Sequence, residues 1–331
     1  MAVLRRKKTC FWIFFFLTLT FASVFLIFGI ISRHTRQDEA DAVPWKEFPR
    51  SPRRTLRGEG LEGSPQVTCL VVTSPGHHED RARHLGAAWK HPRPPTPCPQ
   101  TFFLSSAAHP DLPNVILSNY SGYEDLWGKV LHGLRTVDPS SAQWFLKADD
   151  DTFLLYPHLL DLLAEFDSSV PLLLGLPLVF KDESRHLQVE YMSGGAGYIL
   201  SSPAVRLLQK TLLQECHLPG LTSYEDVNMG ACMAALGVGT GDTRDSLGRA
   251  RFLPYPPWTL MREDLQHHPD YRWLQRMSKF PFNFGIEHMS DRVVSFHEVR
   301  DPRDFYALQY LTNDLRVLPK GADVPFTYPE L

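Results

Sequence analysis

The chain has 331 residues, of which 43% are hydrophobic and 12% aromatic, enough to form a large core in one or two domains. Its 34 Lys and Arg residues nearly balance its 37 Asp and Glu residues, giving a formal net charge of −3. This balance leaves no broad basic surface, so nucleic acid is excluded as an expected partner.

The N-terminal segment is predicted to anchor the chain in a membrane. Four basic residues, Arg5 to Lys8, precede an uncharged apolar stretch at 10–32 that is long enough for a transmembrane helix. A cleavable signal peptide would have a shorter apolar region and a small-residue cleavage site. The positive charges keep residues 1–9 cytosolic. We therefore expect a single-pass type II membrane protein with a stem at 33–65 and a lumenal domain at 66–331.

Two features suit a lumenal domain. Asn119 begins the triplet Asn-Tyr-Ser, an N-glycosylation acceptor sequence. Four cysteines follow the apolar stretch, and four cysteines allow three pairings. We favour the pairing of neighbours along the chain, which joins Cys69 to Cys98 and Cys216 to Cys232.

The lumenal domain is predicted to alternate strands with helices. Strands are expected at 67–73, 101–105, 114–117, 144–148 and 170–176, and helices at 80–89, 123–134, 157–166, 202–214 and 223–237. Ser223 and Asp226 form a capping-box signature at the start of the last of these helices, and a further helix starts at Asp301. The alternation favours an α/β fold with a largely parallel sheet. Ligands of such sheets bind beyond the carboxyl ends of the strands.

One predicted strand ends in three consecutive carboxylates, Asp149, Asp150 and Asp151. Three like charges repel one another, and a hard divalent metal that bridges to phosphate oxygens offsets that repulsion. A solvated turn is the alternative, because Asp is frequent where strands end. The metal site is the favoured interpretation.

A glycine-rich segment at 191–198 is the second candidate. Gly194, Gly195 and Gly197 let the backbone turn tightly and approach a ligand without an intervening Cβ. Taken alone, an ordinary glycine loop is the better interpretation of the segment. Its spacing fits neither the dinucleotide-binding nor the P-loop pattern.

Two carboxylates and a histidine complete the candidate site. Glu225 and Asp226 fall in the first turn of a predicted helix, where the helix dipole favours an ionised carboxylate that can accept a proton from a hydroxyl. Helix capping is the alternative role. His297 follows a strand-like run at 292–296. It is either a structural residue or the nitrogen ligand of a carboxylate-and-imidazole site compatible with manganese.

These segments resemble the fringe-related inverting β1,3-glycosyltransferases, and within that family the core 1 β1,3-galactosyltransferases. The resemblance covers about 67–317 and rests on residues 144–152, 191–198, 241–248 and 294–297. The family's paired-cysteine segment before the last strand is replaced here by His-Met-Ser-Asp at 288–291. The resemblance implies that residues 66–331 form a single catalytic domain with a glycosyltransferase-A-like, Rossmann-like nucleotide-sugar-binding fold.

The implied activity is transfer of galactose from UDP-galactose to the 3-hydroxyl of N-acetylgalactosamine on Ser or Thr of a glycoprotein or glycopeptide, in the Golgi or endoplasmic reticulum membrane. A fringe-like enzyme with another UDP-sugar is one alternative, and a non-catalytic chaperone-like paralogue is another. The intact acidic triad favours an enzyme. Homodimer formation stays open.

The resemblance also implies roles for single residues. It makes Asp226 the general base. It implies manganese ligands at Asp149, Asp151 and His297. Nucleotide-sugar contacts are implied at Val72, Gly122, Lys129, Asp149 and His297, and acceptor contacts at Trp273, Asp242, Arg244 and Asp245.

Overall fold

The structure is a computed structural model that describes residues 64–89, 98, 100–211, 216 and 222–315. The chain divides into two units, and all of the described residues belong to the second, Trp45–Leu331. The predicted cytosolic tail and membrane anchor, and the stem up to residue 63, lie outside the described residues. Within the described ranges, none of the helices combines the length and apolar character that a membrane crossing requires.

A seven-stranded sheet organises the described domain. The strands of the described residues are β1 (Val67–Val72), β2 (Gln100–Ser105), β3 (Val115–Leu117), β4 (Trp144–Asp149), β5 (Phe153–Leu154), β6 (Leu172–Gly175), β7 (Pro177–Asp182), β8 (Leu187–Met192), β9 (Tyr198–Ser201), β10 (Gly239–Thr240), β11 (Phe252–Leu253) and β12 (Ser295–Phe296). The large sheet has the order β10-β6-β9-β4-β1-β2-β3, while β11-β12-β5 and β7-β8 form two smaller sheets. The five predicted strands are confirmed to within two residues.

The large sheet is mixed rather than wholly parallel. Strand β1 lies parallel to β2 and β4, β2 to β3, and β6 to β10, in line with the predicted largely parallel sheet, although β10 was not among the predicted strands. Strand β9 runs antiparallel between β4 and β6, pairing Tyr198 with Lys147 and Ile199 with Leu174. The predicted α/β class is therefore confirmed, whereas the insertion of β9 was not anticipated.

The helices pack on both faces of this sheet. Those of the described residues are Arg83–Trp89, Leu126–Thr136, Tyr156–Leu163, Ser202–Lys210, Glu225–Ala235, Pro257–Leu260, Arg272–Met277 and Pro302–Gln309.

The burial of strand β1 explains why its sequence is a continuous apolar run. Cys69 and Val71 belong to one core cluster, and Leu70 and Val72 belong to the other. Because successive side chains point to opposite faces, a strand covered on both sides needs apolar residues at every position.

The predicted capping box at Ser223 is wrong. The helix begins at Glu225 with Tyr224 at the N-cap, and no side chain caps it there. The Asp226 carboxylate instead accepts hydrogen bonds from the backbone N–H groups of Gly194 and Val227, each at 2.9 Å. The start of this helix is therefore tied to the neighbouring glycine-rich loop and, through hydrogen bonds between Thr222 and Asn228, to its own preceding turn.

The favoured disulfide pairing is confirmed. Cys69 bonds to Cys98 with a Cα–Cα distance of 5.8 Å, and Cys216 bonds to Cys232 with a Cα–Cα distance of 4.8 Å. The first bond joins central strand β1 to the segment that leads into β2. The second attaches residue 216 to the Glu225–Ala235 helix.

A substitution at Gly230 tests how closely this helix packs on β8. A Cβ at Gly230 would lie 2.6 Å from both the Glu190 carbonyl oxygen and the Tyr191 Cβ. We expect Gly230→Ala to lower the free energy of unfolding by about 1–3 kcal/mol, because strand backbone must move to admit the methyl group. Urea unfolding of the purified protein measures the effect.

The matched control is Gly76→Ala, since the atom nearest to a Cβ there is the Ser74 Oγ at 4.0 Å. This variant should unfold within about 0.5 kcal/mol of the wild type. Equal unfolding free energies for the two variants would contradict the packing described here.

Candidate active site

An open cleft of about 550 Å³ lies at the carboxyl ends of β1 and β4. The structure gathers there the residues that the sequence assigned to the metal, the nucleotide-sugar and the base. They are Val72, Gly122, Lys129, Asp149, Asp151, Asp226 and His297. These residues come from remote parts of the chain. Val72 and Asp149 end the parallel strands β1 and β4, which place their carboxyl ends at one edge, whereas Asp226 lies in the first turn of a helix and His297 follows β12.

Two carboxylates and an imidazole form a group that can hold a divalent cation. Asp149, Asp151 and His297 each offer one ligand atom, and these atoms all lie within 4.8 Å of one another. The His297 Nε2 is 3.1 Å from the Asp151 Oδ1 and 3.7 Å from the Asp149 Oδ2. Carboxylate oxygens with one imidazole nitrogen suit divalent metals of intermediate hardness.

Cationic side chains hold Asp151 in its ionised form. The Nε of Arg300 lies 3.3 Å from the Asp151 Oδ2, and an Arg81 guanidinium nitrogen lies 3.6 Å from the same atom. Burial favours the neutral acid, but the hydrogen bond with His297 and the two arginines outweigh it and lower the pKa of Asp151 to about 2. Asp151 is therefore a carboxylate at any physiological pH.

Asp150, between the two candidate ligands, also lines the cleft but does not belong to the group that can hold a cation. Its Oδ2 accepts a hydrogen bond from the Thr73 Oγ1 at 2.7 Å, and its Oδ1 lies 3.7 Å from Arg81. Burial raises the pKa of Asp150 to about 6, with the neighbouring aspartates adding to the rise. The middle carboxyl thus joins the acidic turn to the segment that follows β1.

Lys147, which the sequence analysis did not single out, lies beneath the acidic turn. Its side chain is 2% exposed, and its Nζ donates to the Asp149 Oδ1 at 2.7 Å and to the Gly194 carbonyl oxygen at 3.1 Å. Burial opposes the charge, but Asp149 and Glu225 reverse that effect and raise the pKa of Lys147. A lysine inside the apolar run 144–148 was an available signal, since a buried lysine requires partners.

Glu225 and Asp226 have different surroundings. Glu225 is buried, accepts a hydrogen bond from the Tyr198 hydroxyl at 2.6 Å and lies 3.7 Å from Lys147. Burial raises the pKa of Glu225 to about 7. Asp226 is only partly buried and lines the cleft, although burial also raises its pKa. Both residues line the cleft, and Asp226 is the more exposed of the two carboxylates.

The glycine-rich segment makes room for His297. A Cβ on Gly195 would collide with the His297 ring. The Gly195 carbonyl oxygen accepts a hydrogen bond from the Thr152 Oγ1 at 2.9 Å. Gly197 has a φ of +82°, in the region that favours glycine. Of the two interpretations of this segment, close approach of the backbone to the site is the one that the structure supports.

Lys129 and Gly122, for which the resemblance implies contacts with the nucleotide-sugar, also line the cleft. Lys129 is buried, and its Nζ donates to the Thr73 carbonyl oxygen at 2.9 Å. Burial lowers its pKa. Gly122 donates its N–H to the Asp125 Oδ2 at 3.3 Å. Tyr123, which the sequence analysis passed over, also lines the cleft and is 71% exposed.

The four residues assigned to the acceptor do not line this cleft. Trp273 donates its indole N–H to the Tyr255 hydroxyl at 2.9 Å. Asp242 pairs with Arg244 at 2.9 Å, and Asp245 accepts backbone N–H groups within its own turn. Acceptor contact by these residues stays a prediction, as does glycosylation of Asn119, which is exposed.

Comparison with known proteins identifies the family. Residues 66–247, more than half of the chain, match a family model described as Fringe-like. The chain is 30% identical over 263 residues to glycoprotein-N-acetylgalactosamine 3-beta-galactosyltransferase 1 of Xenopus laevis. This alignment covers 78% of this chain and 69% of that protein. It is 29% identical over 126 residues to N-acetyllactosaminide beta-1,3-N-acetylglucosaminyltransferase 4 of Mus musculus, covering 33% of this chain and 35% of that protein.

One solved structure, the galactosyltransferase LgtC with donor and acceptor sugar analogues, aligns with a TM-score of 0.42 and 12% identity over 76% of this chain and 98% of that one. The family assignment rests instead on the family model and on the relative from Xenopus laevis, each of which matches more than half of the chain. The chain belongs to the fringe-related β1,3-glycosyltransferase family.

Proposed function

We propose that the chain is an inverting β1,3-galactosyltransferase that moves galactose from UDP-galactose to the 3-hydroxyl of N-acetylgalactosamine on Ser or Thr of a glycoprotein. The observation that carries the proposal is one cleft in which a cation-binding group faces an accessible carboxylate, Asp226. The relative from Xenopus laevis is a glycoprotein-N-acetylgalactosamine 3-beta-galactosyltransferase by name, which supports the choice of sugars. The sheet, with its ligand cleft at the carboxyl ends of the strands, suits a glycosyltransferase-A-like fold.

Manganese is the cofactor that best suits the donor set. Asp149, Asp151 and His297 would hold it, since two carboxylates and an imidazole match its ligand preferences. When bound, the ion would offset negative charge on the departing UDP. Arg81 and Arg300 line the same cleft and would add positive charge for a bound diphosphate.

Asp226 is proposed to be the general base. As the acceptor 3-oxygen attacks the anomeric carbon, its proton passes to Asp226, and the bond from that carbon to the UDP oxygen breaks in the same displacement. Attack opposite the leaving group inverts the anomeric centre. The Gly194 N–H holds the Asp226 Oδ2 at 2.9 Å, so the carboxylate is oriented before the acceptor binds.

Another UDP-sugar is the second candidate donor. The similarity over 126 residues to a named β-1,3-N-acetylglucosaminyltransferase favours it, and a panel of UDP-sugars would separate the two. A chaperone-like role is less favoured because the cation-binding group and Asp226 are all present in one cleft. We further propose a type II protein of the Golgi or endoplasmic reticulum membrane, with dimerisation left open.

Replacement of Asp226 tests the base. Asp226→Asn should lower kcat by at least about 10²-fold, because the neutral amide cannot accept the proton. Affinity for UDP should stay unchanged, since the amide oxygen can still accept the Gly194 N–H. Initial rates with UDP-galactose and an N-acetylgalactosamine glycopeptide, together with calorimetry for UDP, give both quantities.

The matched control is Asp304→Asn, which makes the same chemical change at an exposed position on the Pro302–Gln309 helix. It should leave both kcat and the affinity for UDP at wild-type values. Wild-type turnover by Asp226→Asn would remove this residue from the role of base.

The pH dependence of kcat/KM is a separate prediction. The base works only as an anion, and burial raises the pKa of Asp226 above its ordinary value of 3.8. The rate should therefore be constant at high pH and fall as the pH drops through this raised pKa. Measurement between about pH 4 and 8 at saturating manganese should show an inflection above the ordinary aspartate value. An inflection at or below that value would speak against Asp226.

The proposed metal site can be tested without measuring turnover. Gly195→Ala should push the His297 ring away from Asp151 and weaken manganese binding by about 10–100-fold in calorimetric titrations. Asp151→Asn should weaken it further, and Gly76→Ala should leave it unchanged. Manganese affinity that is equal in Gly195→Ala and the wild type would show that His297 does not bind the ion.

A further inference from the structure

A buried histidine that the proposed mechanism does not use lies behind one wall of the cleft. His78 is only 3% exposed and begins the helical turn His78–Ala82, which follows β1 and leads into the Arg83–Trp89 helix. Its Nε2 is hydrogen-bonded at 2.8 Å to the Oγ of Ser105, the wholly buried last residue of β2. His78 therefore fastens the start of this helical turn to the large sheet.

The same helical turn carries Arg81 into the cleft. Arg81 lines the cleft, and its Nη1 lies 3.7 Å from the Asp150 Oδ1 and 3.6 Å from the Asp151 Oδ2. His78 and Arg81 belong to one five-residue turn, so no flexible loop separates them. A displacement of His78 from β2 would therefore also displace the backbone that carries the guanidinium.

The groups that face His78 disfavour a positive charge on its ring. The centre of the His109 ring, on the loop after β2, lies 5.3 Å from the centre of the His78 ring, and Lys129 also repels a proton there. Glu79 is the neighbouring anion, but its carboxylate is engaged by the His109 Nε2 at 2.9 Å and by Arg83. A proton on His78 would therefore be a poorly compensated buried charge.

These surroundings make the packing of His78 sensitive to acid. Burial lowers the pKa of His78 below its ordinary value of 6.5, with His109 and Lys129 adding to the fall and Glu79 opposing it. The unfolded chain takes up this proton near pH 6.5, whereas the folded chain takes it up only at a lower pH. The packing of neutral His78 is therefore fully stabilising above pH 6.5 and is weakened as the pH falls below that value.

We propose that His78 is a positioning residue for Arg81. Its neutral ring holds the helical turn His78–Ala82 against β2 and so keeps the guanidinium beside Asp150 and Asp151. Acidification charges the ring and releases the turn, and Arg81 is then no longer held where a bound diphosphate would meet it. The role of Arg81 toward a diphosphate rests on the proposed function, whereas the anchoring of the turn by His78 does not.

Hydrogen exchange of the full-length protein, measured by mass spectrometry, tests the anchoring without a ligand. In the wild type, peptides that contain residues 78–82 should be less protected at about pH 5.5 than at about pH 7.5, after correction for intrinsic exchange rates. His78→Gln should be protected equally at both, because its amide can reach the Ser105 Oγ but cannot take up a proton. His78→Ala should be poorly protected at both. The matched control, His267→Gln, makes the same change at an exposed histidine and should behave as the wild type.

Calorimetric titration with UDP in the presence of manganese tests the connection to the cleft. At about pH 7.5, His78→Ala should weaken UDP binding by about 3–10-fold, whereas His78→Gln should bind UDP as the wild type does. In an Arg81→Gln background, His78→Ala should have no further effect, because both replacements act through one guanidinium.

Two results would overturn the proposal: independent, additive effects of the two replacements on UDP affinity, or protection of residues 78–82 in the wild type that is as insensitive to pH as in His78→Gln. A wild-type protein that binds no UDP would count against the proposed function, and the hydrogen-exchange result would then decide on the role of His78 by itself.

Discussion

The site depends on one electrostatic constraint, the mutual repulsion of three carboxylates at the end of β4. Four cationic or protonatable side chains surround them, Lys147, Arg81, Arg300 and His297, and each lies within 4 Å of a carboxylate oxygen. Lys147 comes from β4 itself, whereas the others are delivered by remote segments. The folded chain thus already offsets much of the charge, and the cleft stays open toward Asp149 and Asp151, where a divalent cation can add to the compensation.

The glycine-rich loop connects that charge cluster to the candidate base. One residue, Gly194, accepts a hydrogen bond from Lys147 through its carbonyl oxygen and donates its N–H to Asp226. Its neighbour, Gly195, leaves the space that the His297 ring occupies. The loop therefore holds the candidate base through a backbone hydrogen bond and leaves the space for the candidate cation ligand. Such a connection is stiffer than one through flexible side chains.

The parts predicted correctly from the sequence were those determined by local pattern. Strand β1 is buried on both faces, so its continuous apolar run is unambiguous, and the Asp149–Asp151 turn is recognisable because charge follows such a run. Strand β9 was not predicted, because its four residues follow directly on a glycine loop and are too few to show a clear pattern of apolar and polar positions. The role of Lys147 depends on Gly194 and Glu225, which are distant in sequence. The local sequence predicted that Ser223 and Asp226 would form a capping box. In the structure the Asp226 carboxylate instead accepts a hydrogen bond from the Gly194 N–H, which is remote in sequence.

The adjacent carboxylates Glu225 and Asp226 show how one helix start separates two roles. Consecutive helical residues point about 100° apart, so the two side chains meet different surroundings although both line the cleft. The longer Glu225 side chain reaches inward to Tyr198 and Lys147, where it is paired and almost wholly buried. Asp226 accepts only backbone N–H groups among the hydrogen bonds of the described residues. Its orientation therefore does not depend on another titrating side chain, and it stays accessible to a hydroxyl in the cleft.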